Sequence, residues 1–198
     1  ITRLLCAAYG RGAVNTVSWH PQNPESGASA WDGKTSTAVS SILPGGANHA
    51  QFRLWLDRLA GFFVGLKSAD GTCVPVLFRP FHEHTGSGFW WGEAQCTPDE
   101  YKALWRFTVE YLRDVKGVHN LLYVYSPDLY RDAEHYTERY PGDEWVDVLG
   151  LDAYHRPQDW DFLSGGERML STLQRLGHEH GKPTAFTETG LEGIPDKI

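Results

Sequence analysis

Five short apolar runs, each closing on a polar or ionisable residue, limit what this chain can fold into. They are residues 13–19 followed by His20, 74–81 followed by His82 and Glu83, 121–126 with Asp128 just beyond, 146–151 followed by Asp152 and Tyr154, and 183–187 followed at once by Glu188. The second run, VPVLFRPF, is almost all apolar, the pattern of a strand buried on both faces of a parallel sheet. Amphipathic stretches separate the runs. Residues 49–68 place Phe52, Trp55, Leu56, Leu59, Phe63 and Leu66 at helical spacing, and Asp70-Gly71 stops that helix. Thr97-Pro98-Asp99-Glu100 has the cap, proline and acids of a helix start, and residues 164–180 form another helix closed by Gly181.

Alternating strands and helices imply a parallel sheet covered by helices, and both a doubly wound sheet and a (β/α)8 TIM barrel fit that far. No GxGxxG phosphate fingerprint follows any strand. Every strand instead ends on polar or ionisable residues, and in a barrel all those ends meet on the rim where active sites are built. The barrel is therefore the predicted fold. Residues 22–48, rich in Gly, Ser and Pro, are too long for a mere connector and read as a functional loop. No repeat or linker divides residues 1–198, so they are read as part of one domain.

Composition excludes several functions. Eighteen Lys and Arg against 25 Asp and Glu give a net charge of −7, so no basic patch supplies the counterion release that nucleic-acid binding needs. No apolar run approaches the roughly 20 residues that span a bilayer, and no basic leader opens the chain. Cys6, Cys73 and Cys96 are odd in number and lack zinc spacing, which argues for buried free thiols rather than a disulfide framework. Aromatic residues make up 13% of the chain, eight of them Trp, so that either a Trp-rich core or ring platforms for a flat ligand must absorb them.

Glu83 and Glu188 each leave a buried strand directly. Two such carboxylates at one rim are what glycoside hydrolysis requires, one protonated to release the leaving oxygen and one ionised. Each alone also fits an ordinary strand-end carboxylate pairing with an arginine. Between them lies Gly86-Ser87-Gly88-Phe89-Trp90-Trp91-Gly92, three adjacent aromatics bracketed by glycines, with rings suited to the apolar faces of a sugar. One of Trp90 and Trp91 is expected only to pack the loop against the barrel. His82-Glu83-His84 can also be read as a metal cluster, but the HExxH spacing is absent and adjacent strand residues point to opposite sides. No metal or other cofactor is expected.

At these residues the chain resembles the glycoside hydrolase family 26 β-mannanases, of the clan of retaining (β/α)8 glycosidases. The matching stretches are VSWHPQNP (17–24), PVLFRPFHEHTGSGFWWG (75–92), EYKALWRFTVEYL (100–112), VHNLLYVYSPD (118–128), RYPGDEWVDVLGLDAYH (139–155) and TETG (187–190). The resemblance implies that Glu83 is the acid/base after barrel strand four and Glu188 the nucleophile after strand seven. It implies that His82 orients the acid/base, that Tyr154 hydrogen-bonds the nucleophile, and that Trp19 and His20 line the cleft. Arg79, Phe89, Trp90 and Trp91 complete the implied substrate site. Members of the family often carry an aromatic at Gly88 and Asn at His84. A barrel of this type needs about 250 residues. By the family's strand order, the resemblance implies that the five strands are the third to seventh of eight, with the first, second and last absent.

The implied substrate is β-mannan or manno-oligosaccharide, cleaved internally by a retaining mechanism. The implied setting is secreted, cell-surface or periplasmic, with a monomeric full-length enzyme. A family member acting on mixed-linkage glucan or xylan, and a non-catalytic carbohydrate-binding module, are the competing readings. A binding module needs aromatics but no acid and nucleophile.

Overall fold

The computed structural model describes residues 1–155 and 162–191. In chain order the elements are α1 (Thr2–Tyr9), β1 (Asn15–Trp19), α2 (Ala38–Ile42), α3 (His49–Val64), β2 (Val76–Pro80), α4 (Pro98–Glu110), β3 (Leu121–Tyr125), α5 (Ala133–Thr137), β4 (Val148–His155), α6 (Phe162–His180) and β5 (Thr184–Leu191). All the strands pair in parallel and lie in the order β1-β2-β3-β4-β5. A doubly wound sheet reverses its strand order at a switch point, whereas a barrel adds each strand beside the last. The sequential order and the curl of the sheet make this half of a (β/α)8 barrel, as the strand-end residues predicted.

The strand positions agree with the sequence, but two strands run further than their apolar runs. β4 continues through Asp152 and Tyr154 to His155, and β5 continues through Glu188 to Leu191, so these residues stand within strands rather than after them. Their polar side chains carry the strands onward because they bond to one another inside the barrel. Within 22–48, the short helix α2 buries Ala38, Val39 and Ile42. The opening segment forms α1, whose packing leaves no residue fully buried.

Thr97 caps α4 as its sequence implies. Its hydroxyl accepts from Glu100 N at 3.2 Å, and Glu100 returns the bond by accepting from Thr97 N at 2.8 Å. α4 runs into a wider turn over Tyr111–Val115, where Lys116 N bonds back to Tyr111 O. Aromatic rings fill the layer between sheet and helices. Phe63, Phe78 and Tyr123 pack in sequence beneath α3, while Tyr101, Trp105, Tyr125 and Tyr136 do so beneath α4 and α5. None of the three cysteines pairs. Cys96 is buried as expected, but Cys6 is half-buried and Cys73 is exposed. Among the described residues no helix is long and apolar enough to cross a membrane.

Candidate active site

β2 delivers the first carboxylate through an unusual piece of backbone. Phe81 and Glu83 both sit at positive φ, 51° and 54°, where a side chain is strained, and such strain survives only where surrounding contacts fix it. Those contacts are present. Tyr101 Oη donates to Phe81 O at 2.8 Å, Trp91 Nε1 to His82 O at 2.8 Å, and Glu83 N to Ser126 O at 2.9 Å. The chain thereby turns sharply, with His82 and His84 on opposite sides. His84 is buried between the rings of Tyr101 and Tyr125, so it cannot join His82 around a metal.

The second carboxylate arrives through a register break. Leu151 pairs with Phe186 but Asp152 pairs with Glu188, so Thr187 is an extra residue on β5. A bulge of this kind re-aims side chains beside active sites. Here it lets both Thr187 and Glu188 reach the barrel interior. Thr187 Oγ1 donates to Asp152 Oδ1 at 2.6 Å, while Glu188 Oε1 accepts from Arg79 Nη1 at 2.6 Å and Oε2 from Tyr154 Oη at 2.9 Å. Arg79, buried inside the barrel, also binds Asp152 Oδ2 through Nη2 and Ser126 Oγ through Nε. Burial pushes the Glu188 carboxyl up, but the Arg79 hydrogen bond and charge, with Tyr154, outweigh it and hold Glu188 below the usual carboxylate range. Burial drives Asp152 the other way, up to about 8, against the pull of Arg79. Tyr154 rises to about 12 through burial and its bond to Glu188, so it remains a phenol that donates.

Glu83, Asp152 and Glu188 each bring a carboxylate oxygen to within 4.8 Å of the others. They are the one such acidic or ligand-type trio among the described residues, and three carboxylates are hard ligands of the kind that hold Mg²⁺ or Ca²⁺. Arg79, however, already binds two of the three, and its guanidinium supplies the positive charge at that point. The donor set therefore fits a charge-compensated carboxylate pair better than a metal cage.

A cleft of about 450 Å³ opens over these groups, walled by Glu83, Glu188, Tyr154, His82 and His20, with Leu191 at its edge. The two imidazoles meet edge-on at 4.6 Å. Burial, then the charge of Arg79, holds His82 down to about 3, and burial also lowers His20, so both are neutral donors or acceptors at ordinary pH. A larger hollow of about 530 Å³ lies by Gln95 and Arg139, and of its three acids Glu100 caps α4 and Glu93 bonds His135, leaving Glu138. The smaller cleft alone gathers Glu83 and Glu188, which makes it the candidate active site.

The aromatic loop corrects the sequence reading. Trp90 and Trp91 are both 0% exposed, their indole N–H groups bonded to Pro21 O and His82 O, so neither reaches the cleft. Phe89 does line it, stacked on Trp91 at 4.4 Å. The loop closes so tightly that a Cβ on Gly92 would lie 2.2 Å from Gly86 O. The exposed ring is Trp31, 62% exposed, from the 22–48 loop; it stacks on Phe89 at 4.1 Å and crosses above Gly88, where a Cβ would come within 3.2 Å of it. Trp19 also departs from expectation. It packs against Phe81 and Phe52 and faces a neighbouring hollow of about 320 Å³ beside Trp55 and Arg58, which His20 shares. Arg79 lies beneath the carboxylates rather than in the cleft wall.

Sequence reasoning placed Asp152 at a strand end without giving it a role, and missed Trp31 and Thr187. A lone Trp in a polar, glycine-rich loop was the available signal for Trp31. The bulge that recruits Thr187 left none.

Known proteins resemble this chain in sequence and fold. The chain is 46% identical to a family 26 β-mannanase from Bacteroides ovatus, covering 98% of this chain and 56% of that one with a TM-score of 0.94. It is 43% identical to a modular endo-β-1,4-mannanase from Cellulomonas fimi, covering 97% and 43%, with a TM-score of 0.92. Mannan endo-1,4-β-mannosidases of Bifidobacterium adolescentis and Bacillus subtilis strain 168 are 41% and 39% identical, each over 94% of this chain. The chain spans 19% of the first and 49% of the second. A sequence profile of glycosyl hydrolase family 26 matches residues 4–166, and with the rim carboxylates on a sequentially wound half-barrel the conclusion is that the chain belongs to glycosyl hydrolase family 26.

Proposed function

We propose that the protein of which these residues are part is a retaining endo-β-1,4-mannanase, acting on mannan, glucomannan or galactomannan. One observation carries the mechanism: the Glu83 and Glu188 oxygens lie within 4.8 Å across the cleft. Retaining glycosidases hold their carboxyls about 5–5.5 Å apart, whereas inverting ones leave a wider gap for water. In the first step Glu188, kept ionised by Arg79 and Tyr154, attacks the anomeric carbon while Glu83 protonates the departing glycosidic oxygen. In the second, Glu83 as carboxylate takes a proton from water, whose oxygen displaces Glu188 and restores the starting configuration. His20 and His82 stay neutral and hydrogen-bond hydroxyls, while Trp31 on Phe89 offers an apolar ring face to one sugar.

The mannan assignment rests on the activities of the relatives named above. Their polymeric substrate supports a secreted, cell-surface or periplasmic enzyme, and we take the full-length protein to be a monomer. The test is hydrolysis of β-mannan, mixed-linkage glucan and xylan by the full-length protein, with product anomers followed over time. Mannan preference with first-formed β-anomers is expected. First-formed α-anomers would overturn the retaining mechanism, and preference for another polymer the substrate.

A further inference from the structure

The hairpin between α3 and β2 holds an arrangement with no part in hydrolysis. Lys67 and Cys73 pair across an isolated antiparallel bridge. The hydrogen bonds flanking them, Ser68 N to Thr72 O and Val74 N to Leu66 O, both 2.9 Å, make them a non-hydrogen-bonded pair, the kind whose side chains approach most closely. The turn is firmly built. Gly71 takes φ +84°, and the Asp70 carboxylate accepts from Ser68 Oγ at 2.5 Å and Thr72 N at 3.1 Å. Leu66 and Val74, at the foot of the two stems, are fully buried.

The result is a contact of 2.7 Å between Lys67 Nζ and Cys73 Sγ. The ordinary nitrogen–sulfur contact elsewhere in this molecule, Arg139 Nη1 to Cys96 Sγ, is 3.4 Å. A separation of 2.7 Å is normal for nitrogen and oxygen, but sulfur is the larger atom. The pair is too close for two unbonded atoms and too far for a direct N–S bond, and one bridging oxygen spans the gap. Both side chains are open to solvent and hence to small oxidants.

We propose that Lys67 and Cys73 form a reversible, oxygen-bridged Nζ–O–Sγ cross-link under oxidation by a peroxide. One peroxide converts the Cys73 thiol to the sulfenic acid and leaves as water. A second takes two electrons and two protons from the sulfenic O–H and a Lys67 N–H as the O–N bond forms, leaving as two waters. A dithiol reductant reverses both steps to thiol, amine and water. The link ties the end of α3 to the entry of β2, at the end of the strand remote from Glu83. Active sites of such barrels lie at the opposite face, so the linkage acts on stability and not on turnover.

The test is mass spectrometry of the full-length native protein after brief treatment with dilute hydrogen peroxide. The expected product is a peptide containing both residues that has gained one oxygen and lost two hydrogens, resists trypsin after Lys67, and reverts with dithiothreitol. Lys67→Arg and Cys73→Ser each abolish it without changing hydrolysis, and in Lys67→Arg the thiol climbs to sulfinic acid instead. Three outcomes would overturn the proposal: sulfinic or sulfonic Cys73 beside a trypsin-sensitive Lys67 in the unmutated protein, loss of two hydrogens with no oxygen gained, or no change at Cys73.

Discussion

The two carboxylates to which we assign the catalytic roles are held in place by different physics. Glu83 depends on backbone: a strained turn at the end of β2, clamped by Tyr101, Trp91 and Ser126, over a stack of buried rings. Glu188 depends on charge: a bulged strand end whose carboxylate is fixed by Arg79 and Tyr154, with Asp152 and Thr187 beside it. The division suits the tasks. A nucleophile must stay ionised in a partly buried place, which only opposite charge and donors achieve. An acid/base must gain and lose a proton in each cycle, and a backbone clamped from several sides keeps its side chain within reach of the leaving oxygen in both states.

Removing each carboxylate gives the largest effects. Glu188→Ala is expected to lower kcat by about 10⁴-fold or more while oligosaccharide affinity, measured by calorimetry, stays within a few-fold. Wild-type turnover in that variant would remove Glu188 from its role. Glu83→Ala is expected to cost about 10²–10⁴-fold on mannan, with a much smaller loss on aryl mannosides whose leaving groups need little protonation. Equal losses on both substrates would sink the acid/base assignment.

Substitutions in the supporting groups sharpen the contrast. Tyr154→Phe removes one donor to Glu188, a loss of about 1.5–3 kcal/mol for a bond to a charged group. The acidic limb of the kcat/KM profile should then move to higher pH, because one influence lowering Glu188 is gone. Trp91→Phe, on the other side, removes the indole donor to His82 O and should cost about 1–3 kcal/mol of folding stability, read by urea unfolding, with that limb unmoved. If Trp91→Phe shifts the limb and Tyr154→Phe does not, the division between backbone and charge is wrong.

The smallest effect concerns stability against pH. Burial holds His82 down to about 3 and His84 well below 6.5, so the unfolded chain binds protons that the folded one does not as pH falls below about 6.5. Stability is therefore lost on acidification, at about 1.4 kcal/mol per pH unit for each such proton. Asp128, raised to about 6 by burial, acts in the opposite sense. Unfolding of His82→Gln at pH 7 and pH 5 should show a shallower loss than the parent, and an unchanged slope would count against a neutral buried His82.

Much of the fold was legible because it rests on local pattern. Val76–Pro80 reads as buried strand from composition, and α4 announces itself through Thr97 and Glu100. Glu83 and Glu188 were legible for a related reason, since each follows an apolar run whose direction fixes the rim it reaches. Trp90 and Trp91 were not, because exposure of a ring depends on what the rest of the chain lays over it. Gly86 and Gly92 close that loop against itself, and Pro21, distant in sequence, takes the Trp90 N–H.

The sequence by itself thus determined a sequentially wound half-barrel with two acids on one rim, because strand periodicity and strand direction are properties of contiguous residues. Only the tertiary structure decided that Trp31 rather than Trp90 or Trp91 presents its face to the cleft, and that one extra residue on β5 gathers Thr187, Asp152 and Arg79 around Glu188. Both depend on register and packing between segments far apart in the chain, where a shift of one residue exchanges inward for outward side chains.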